Sequence, residues 1–169
     1  MAKILQNCTI ISFIVIAISL LPSGSCDLID TTCNDTPYPG VCSSFLRGIP
    51  EAKDANLSGL TVIMISSLTK KSNDEITKID QLLKTKPGDE HLTSCKTHYK
   101  SVIDFTRDAT NHARNSASEA GQGTVVDILL EIRDCEDGFH PEPSPLTDLN
   151  QTNRDVSNVI YFMFGQMRK

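Results

Sequence analysis

Tryptophan is absent from the 169-residue sequence, and aromatic residues make up only 5% of it. A core built from this chain must therefore be mainly aliphatic. The sequence also lacks a Cys-x-x-Cys pair, a Gly-x-Ser-x-Gly motif and a glycine-rich phosphate loop. It has no arginine-rich run, and its formal net charge is −5. These absences argue against a zinc protein, a serine hydrolase, a nucleotide-binding protein and a nucleic-acid-binding protein.

The first 25 residues have the order of a cleaved secretory signal. Lys3 supplies the positive start, and an apolar run over residues 10–21 leads to small residues before a cut after Ser25 or Cys26. The competing interpretation, a membrane anchor, needs about 20 predominantly apolar residues. Removal of the leader takes away one lysine and no acid, so the formal charge changes from −5 to −6. We expect a secreted single domain over residues 26–169, with no membrane attachment after cleavage.

Four cysteines remain inside this domain: Cys33, Cys42, Cys95 and Cys135. An even set of cysteines in an exported chain predicts disulfides, although the sequence permits three pairings. Locality favours Cys33–Cys42, which would leave Cys95–Cys135 as the longer link. Zinc is a weak alternative because the spacings match no common zinc pattern.

Apolar residues recur at steps of three or four, which predicts amphipathic helices. Short helical pieces are predicted over residues 27–34 and 41–47, and a Cys33–Cys42 bridge would hold them as a hairpin. Longer apolar stripes cover residues 57–83, 92–113, 125–139 and 146–167. We therefore predict an all-α fold with two disulfides, in which an N-terminal helical hairpin (27–50) precedes an up-down-up-down four-helix bundle (54–169).

The joints between the predicted helices carry turn residues. Pro87 and Gly88 end the first long helix, and Asp89 is a reasonable N-cap for the second. Residues 116–123 are polar and contain glycine, so they are predicted to be a connection or a weak helical end. Three alternating prolines within residues 141–145 must end the third long helix and separate it from the last one.

The sequence offers no catalytic, cofactor or metal constellation. His91 and His98 lie seven residues apart on the predicted second bundle helix, with Cys95 between them. A disulfide would take the cysteine, so surface histidines explain the spacing better than a metal site. Oxidation of the interior cysteines also removes a cysteine nucleophile.

Three glycosylation sequons follow the predicted leader. They begin at Asn34, Asn56 and Asn150, each two residues before a threonine or serine. The motif is short, so chance matches are common, but export makes occupancy of one or more plausible.

Several motifs together resemble one known family, the plant invertase and pectin methylesterase inhibitors. They are Leu28-Ile29-Asp30-Thr31-Thr32-Cys33 followed by Thr36-Pro37 and Cys42, the stretch over residues 55–64, the isolated Cys95, Cys135-Glu136-Asp137-Gly138-Phe139, and Ser144-Pro145-Leu146. The resemblance covers essentially the whole mature chain. Within the family, the sequence is similar to the invertase-inhibitor-like, pollen-allergen-like branch.

This resemblance implies a four-helix bundle with an N-terminal hairpin and the pairings Cys33–Cys42 and Cys95–Cys135. It also implies a non-enzymatic protein that needs no cofactor. Such a protein would inhibit a plant carbohydrate-active enzyme, acid invertase or pectin methylesterase, by stoichiometric binding. The cell wall space would be its destination, or the vacuole.

One segment departs from the family pattern. Invertase inhibitors commonly carry Pro-Lys-Phe before the fourth cysteine, and here the corresponding stretch is Ser118-Glu119-Ala120-Gly121-Gln122-Gly123. It lacks the cation and the aromatic ring, so it is only a candidate target-contact segment. An alternative function therefore stays open, that of a secreted helical bundle without inhibitory activity, with an allergen-type, storage or developmental role.

Overall fold

Helices dominate residues 27–168, the part of the chain that the computed structural model describes. The predicted leader and its cleavage site lie outside these residues. Six α-helices follow one another: α1 (Leu28–Asn34), α2 (Pro39–Arg47), α3 (Leu57–Thr85), α4 (Glu90–Arg114), α5 (Ser118–Asp137) and α6 (Thr147–Gln166). A short 3-10 helix over Pro50–Asp54 joins α2 to α3. No strand occurs within the described range.

Side-chain caps fix the start of three helices. Asp27 accepts a hydrogen bond from the backbone N–H of Ile29 at the start of α1. Asn56 and the predicted cap Asp89 do the same at the starts of α3 and α4, with O···N distances of 2.9 and 3.0 Å. Such caps satisfy N–H groups that have no partner within the helix.

Helices α3 to α6 form the bundle, in which each helix packs against the next one and α6 returns to α3. Short joints of three to nine residues connect neighbours, so consecutive helices run antiparallel. This arrangement confirms the predicted all-α, up-down-up-down bundle. Its core is aliphatic for the most part, as the shortage of aromatic residues requires, and includes Leu60, Met64, Leu68, Ile79, Leu92, Val102, Ile128, Ile132, Val156 and Ile160.

The N-terminal hairpin packs against α3 and α6 of the bundle. Helices α1 and α2 contact each other, and both contact α3 and α6. The Gln166 side chain of α6 donates to the carbonyl oxygen of Thr32 at 3.0 Å, and Lys71 of α3 lies over the ring of Phe45 at 5.1 Å. Because helices this short are unstable alone in water, the hairpin depends on these contacts.

One predicted boundary was wrong. Helix α2 begins at Pro39 rather than at residue 41, because proline at the first helical position sacrifices no hydrogen bond. The stretch over residues 116–123, predicted to be a connection or a weak helical end, contains both: residues 115–117 join α4 to α5, and residues 118–123 form the first turns of α5.

Candidate functional site

Two buried disulfides each link a pair of neighbouring helices. Cys33–Cys42 joins α1 to α2, and Cys95–Cys135 joins α4 to α5, with Cα–Cα distances of 5.4 and 4.4 Å. All four cysteines are at most 2% exposed. These are the pairs that locality favoured and the resemblance implied.

The candidate target-contact segment forms the first turns of α5, and part of it is used for packing. The Ser118 hydroxyl donates to the carbonyl oxygen of Phe164 at 2.5 Å. Gly121 faces the same phenylalanine so closely that an added Cβ would lie 2.2 Å from the ring. Gln122 donates to the Tyr161 carbonyl oxygen at 3.3 Å. These three residues attach α5 to α6.

The rest of this segment is open to solvent. Glu119, Ala120 and Gly123 are exposed. Next to it, an open depression separates the hairpin from the ends of α5 and α6; its lining is Asp35, Gln122, Tyr161, Phe162, Gly165 and Gln166. Phe162 is 41% exposed there. Amide groups beside aromatic rings suit contact with another protein surface.

Two exposed aliphatic side chains extend this surface along α5. Val126 and Leu130 are 43% and 40% exposed and lie one helical turn apart. Glu119, Gly123, Val126 and Leu130 follow steps of four, three and four, so they share one side of the helix. We call these four residues the outer face of α5.

A Ser–His–Glu arrangement crosses from α4 to α5. The Ser94 hydroxyl lies 3.4 Å from Nε2 of His98, and Nδ1 of His98 lies 2.7 Å from a carboxylate oxygen of Glu131. Ser94 is exposed at the fifth position of α4, and from this position on the backbone N–H groups are bonded within the helix. The arrangement therefore lacks the oxyanion donors that a serine nucleophile needs. It is a polar link between two helices.

The histidine prediction was incomplete. His98 is half-buried and paired with Glu131, whereas the sequence favoured a surface histidine. The partner lies 33 residues further along the chain, so no local spacing could reveal it. Within the described part of the chain, no group of three or more His, Cys, Asp or Glu side chains could hold a metal ion.

A hydrogen-bonded polar network lies inside the bundle. The Tyr99 hydroxyl donates to Oδ1 of Asn150 at 2.6 Å and accepts from Nδ2 of Asn153 at 3.0 Å. Nδ2 of Asn150 in turn donates to Glu136 at 2.5 Å. Burial, assisted by the charge of Glu75, raises the pKa of the Tyr99 phenol well above its ordinary value. The network joins α4, α5 and α6.

Glu75 of α3 lies beside this network and is 1% exposed. Burial and, to a smaller extent, the charge of Glu136 raise the pKa of Glu75 to about 8, while Lys71 and Lys78 oppose the shift. Among the described residues, neither of its carboxylate oxygens has a hydrogen-bond partner, and nor does Oδ1 of Asn153. A buried carboxyl without a partner favours its neutral form.

The three sequons occupy different environments. Asn34 is exposed at the end of α1, and Asn56 is exposed at the start of α3. Asn150 is 1% exposed, and its amide is held in the core network. The folded protein therefore has no room for a glycan on that amide nitrogen.

Comparison with known proteins identifies the family. The model of the plant invertase/pectin methylesterase inhibitor family matches residues 27–161. The chain belongs to this family. The match includes the hairpin, both disulfides and most of α6.

Two relatives from Arabidopsis thaliana belong with these plant invertase/pectin methylesterase inhibitors. The chain is 29% identical over 139 residues to a protein named cell wall / vacuolar inhibitor of fructosidase 1. The aligned region covers 81% of this chain and 67% of that protein. It is 27% identical over 140 residues to pectinesterase inhibitor 2, covering 78% and 77%.

Solved structures of family members share the fold. A pectin methylesterase inhibitor from Arabidopsis thaliana superimposes with a TM-score of 0.61 at 17% identity, covering 83% of this chain and 96% of that one. Mutant form A of a pectin methylesterase inhibitor from Arabidopsis gives 0.68 at 19% identity, covering 81% and 95%.

Sequence reasoning missed Val126 and Leu130, although a signal was present. Residues 125–130 read Val-Val-Asp-Ile-Leu-Leu, which has more apolar residues than one buried stripe uses. The structure buries Val125 and Ile128, so the surplus lies outside. The buried position of Glu75 also had a signal, in its spacing. It lies seven residues after Leu68 and four before Ile79, so helical periodicity places it in the apolar stripe of α3.

Proposed function

We propose that this chain is a secreted proteinaceous inhibitor of a plant carbohydrate-active enzyme, either acid invertase or pectin methylesterase. It acts by stoichiometric binding and catalyses no reaction itself. The family match over residues 27–161 is the observation that carries the proposal. The two Arabidopsis relatives support it, since their names describe inhibitors of fructosidase and of pectinesterase.

The proposed location is the cell wall space, with the vacuole as the second destination. The predicted leader over residues 1–25 would direct the chain into the secretory pathway, with cleavage after Ser25 or Cys26. A relative named for both cell wall and vacuole supports these two destinations. Between residues 27 and 168, no helix is both long and apolar enough to cross a bilayer.

The outer face of α5 is the proposed contact surface for the target enzyme. It combines the exposed part of the candidate target-contact segment with two apolar side chains, Val126 and Leu130. The Cys95–Cys135 bridge and the contacts of Gly121 with Phe164 fix α5 against its neighbours. A surface on a fixed helix loses little conformational freedom on binding, which favours affinity.

A second candidate function is a secreted bundle with no inhibitory activity. The absence of Pro-Lys-Phe from residues 118–123 favours it. In this structure Ser118 and Gly121 of that stretch are buried against α6, so they are not available to enter an active site. Inhibition would then have to use other side chains of α5.

An inhibition assay decides between these functions. The mature, oxidised protein is titrated against plant acid invertase and plant pectin methylesterase in parallel, across mildly acidic pH. We expect one enzyme to lose activity at a molar ratio near one, and reduction of the disulfides to restore it. A reduced and alkylated sample serves as the control.

The opposite result is equally clear. If neither enzyme slows at a large molar excess of folded protein, the inhibitor function fails for both targets. The bundle would then be assigned to the non-inhibitory class.

A further inference from the structure

The three sequons differ in whether the folded chain can carry a glycan, and this difference points to one modification site. We propose that Asn56 is the residue that carries an N-linked glycan, and that Asn34 and Asn150 do not. The proposal rests on the secretion part of the proposed function, since glycan transfer occurs in the secretory pathway.

Asn56 combines exposure with a compatible hydrogen bond. Its side chain caps α3 through Oδ1, which accepts from the N–H of Gly59 at 2.9 Å. An N-glycan is joined through Nδ2, so the cap and the glycan use different atoms. In the transfer, Nδ2 loses a proton and bonds the anomeric carbon of an oligosaccharide. The bond from that carbon to a lipid-linked diphosphate donor breaks.

The surroundings of Asn56 leave room for a large polar group. An open depression beside it is lined by Asn56, Leu57, Ser58, Ser116, Gln166 and Met167. Ser58, which completes the sequon, donates to the Ala113 carbonyl oxygen at 2.6 Å in the folded protein. The glycan would therefore stand at the bundle end near the joint of α4 and α5.

Asn150 is too deeply buried to carry a glycan in the folded protein. Its Nδ2 donates to Glu136, and its Oδ1 accepts from the Tyr99 hydroxyl. A glycan on this nitrogen would break the network and force apart α4, α5 and α6. Chains modified at Asn150 could not reach this fold, so folded, secreted protein should carry none there.

Asn34 is disfavoured by its local chain. Pro37 restricts the preceding Thr36 to extended backbone, which opposes the turn that brings the asparagine and threonine side chains together for transfer. The sequon also lies inside the loop closed by the Cys33–Cys42 disulfide.

Peptide mapping by mass spectrometry tests the assignment on full-length chain secreted by plant cells. We expect a glycopeptide containing Asn56 and unmodified peptides containing Asn34 and Asn150. Asn56→Asp should abolish the glycan while keeping a capping oxygen, so its thermal stability should stay close to wild type. The matched variants Thr36→Val and Thr152→Val remove the other sequons and should leave the glycan mass unchanged.

Secreted protein with an unmodified Asn56, or with a glycan on Asn34 or Asn150, would overturn the proposal. Expression behind the leader of a known secreted plant protein keeps the result independent of the native leader. Inhibition is measured on the same preparations. A glycosylated but inactive protein would refute the inhibitor function alone, and an active protein without glycan would refute this assignment alone.

Discussion

Four buried polar side chains lie in the core of the bundle. Glu75, Tyr99, Asn150 and Asn153 are at most 1% exposed, in a core that is mainly aliphatic. Three of them share hydrogen bonds, whereas the carboxylate oxygens of Glu75 have no partner among the described groups. At acidic pH the neutral carboxyl of Glu75 fits such a site, and at higher pH its charge does not.

Glu75 should therefore make stability depend on pH. Its pKa is about 8 in the folded protein against 4.5 ordinarily, so the folded state binds the proton more tightly. The stabilising contribution is complete below about pH 4.5 and is lost as pH rises towards 8. We expect the free energy of unfolding to fall by about 2–4 kcal/mol over this range. Urea denaturation at several pH values measures it.

The variant Glu75→Gln should remove most of this pH dependence, because glutamine stays neutral throughout. Asp74→Asn is the matched control: it changes the formal charge by the same amount at the neighbouring, exposed position. This control should keep the wild-type slope. Equal slopes for wild type and Glu75→Gln would contradict the assignment of the buried proton to Glu75.

At the level of elements, the contact between α5 and α6 depends on a missing side chain. Gly121 lets the ring of Phe164 approach the α5 backbone, and an added Cβ would lie 2.2–2.5 Å from three ring atoms. Phe164 is fully buried, so the ring has little freedom to move away. Gly121, which lies in the stretch that the sequence predicted to be a connection or a weak helical end, is therefore a packing position within α5.

Gly121→Ala should destabilise the protein by about 1–3 kcal/mol, since overpacking forces the ring or the backbone to shift. Gly123→Ala, two residues later on the same helix, meets nothing within 4 Å. It should stabilise the protein by up to about 1 kcal/mol, the helix preference of alanine over glycine. Thermal unfolding followed by circular dichroism measures both. Two variants of equal stability would show that the ring contact is not as tight as the structure has it.

At the level of the whole molecule, the disulfides and the bundle present α5 as a fixed surface. Its outer face carries Val126 and Leu130, and the hairpin carries a similarly exposed aliphatic residue, Leu28. Leu28 lies on a different helix from Val126 and Leu130. Variants at these positions therefore distinguish a contact specific to α5 from a general effect of exposed apolar groups.

The double variant Val126→Asp, Leu130→Asp should weaken inhibition of the target enzyme by about tenfold or more, because it places charge in the centre of the proposed contact. Its fold should remain intact, since both side chains are exposed. Leu28→Asp should inhibit as well as wild type. Titration of the sensitive enzyme gives all three inhibition constants. A loss caused by Leu28→Asp, or none from the double variant, would place the contact elsewhere.

The sequence by itself determined the fold class, because apolar residues at helical spacing and Asp89 before α4 are local signals. It also favoured the disulfide pairs, since a short loop and helix adjacency follow from chain order. Tertiary structure alone decided the rest. The start of α5 at Ser118 depends on contacts with Phe164, the pairing of His98 with Glu131 spans 33 residues, and the burial of Asn150 depends on three helices meeting. Such features arise only when distant segments pack, so no local pattern could encode them.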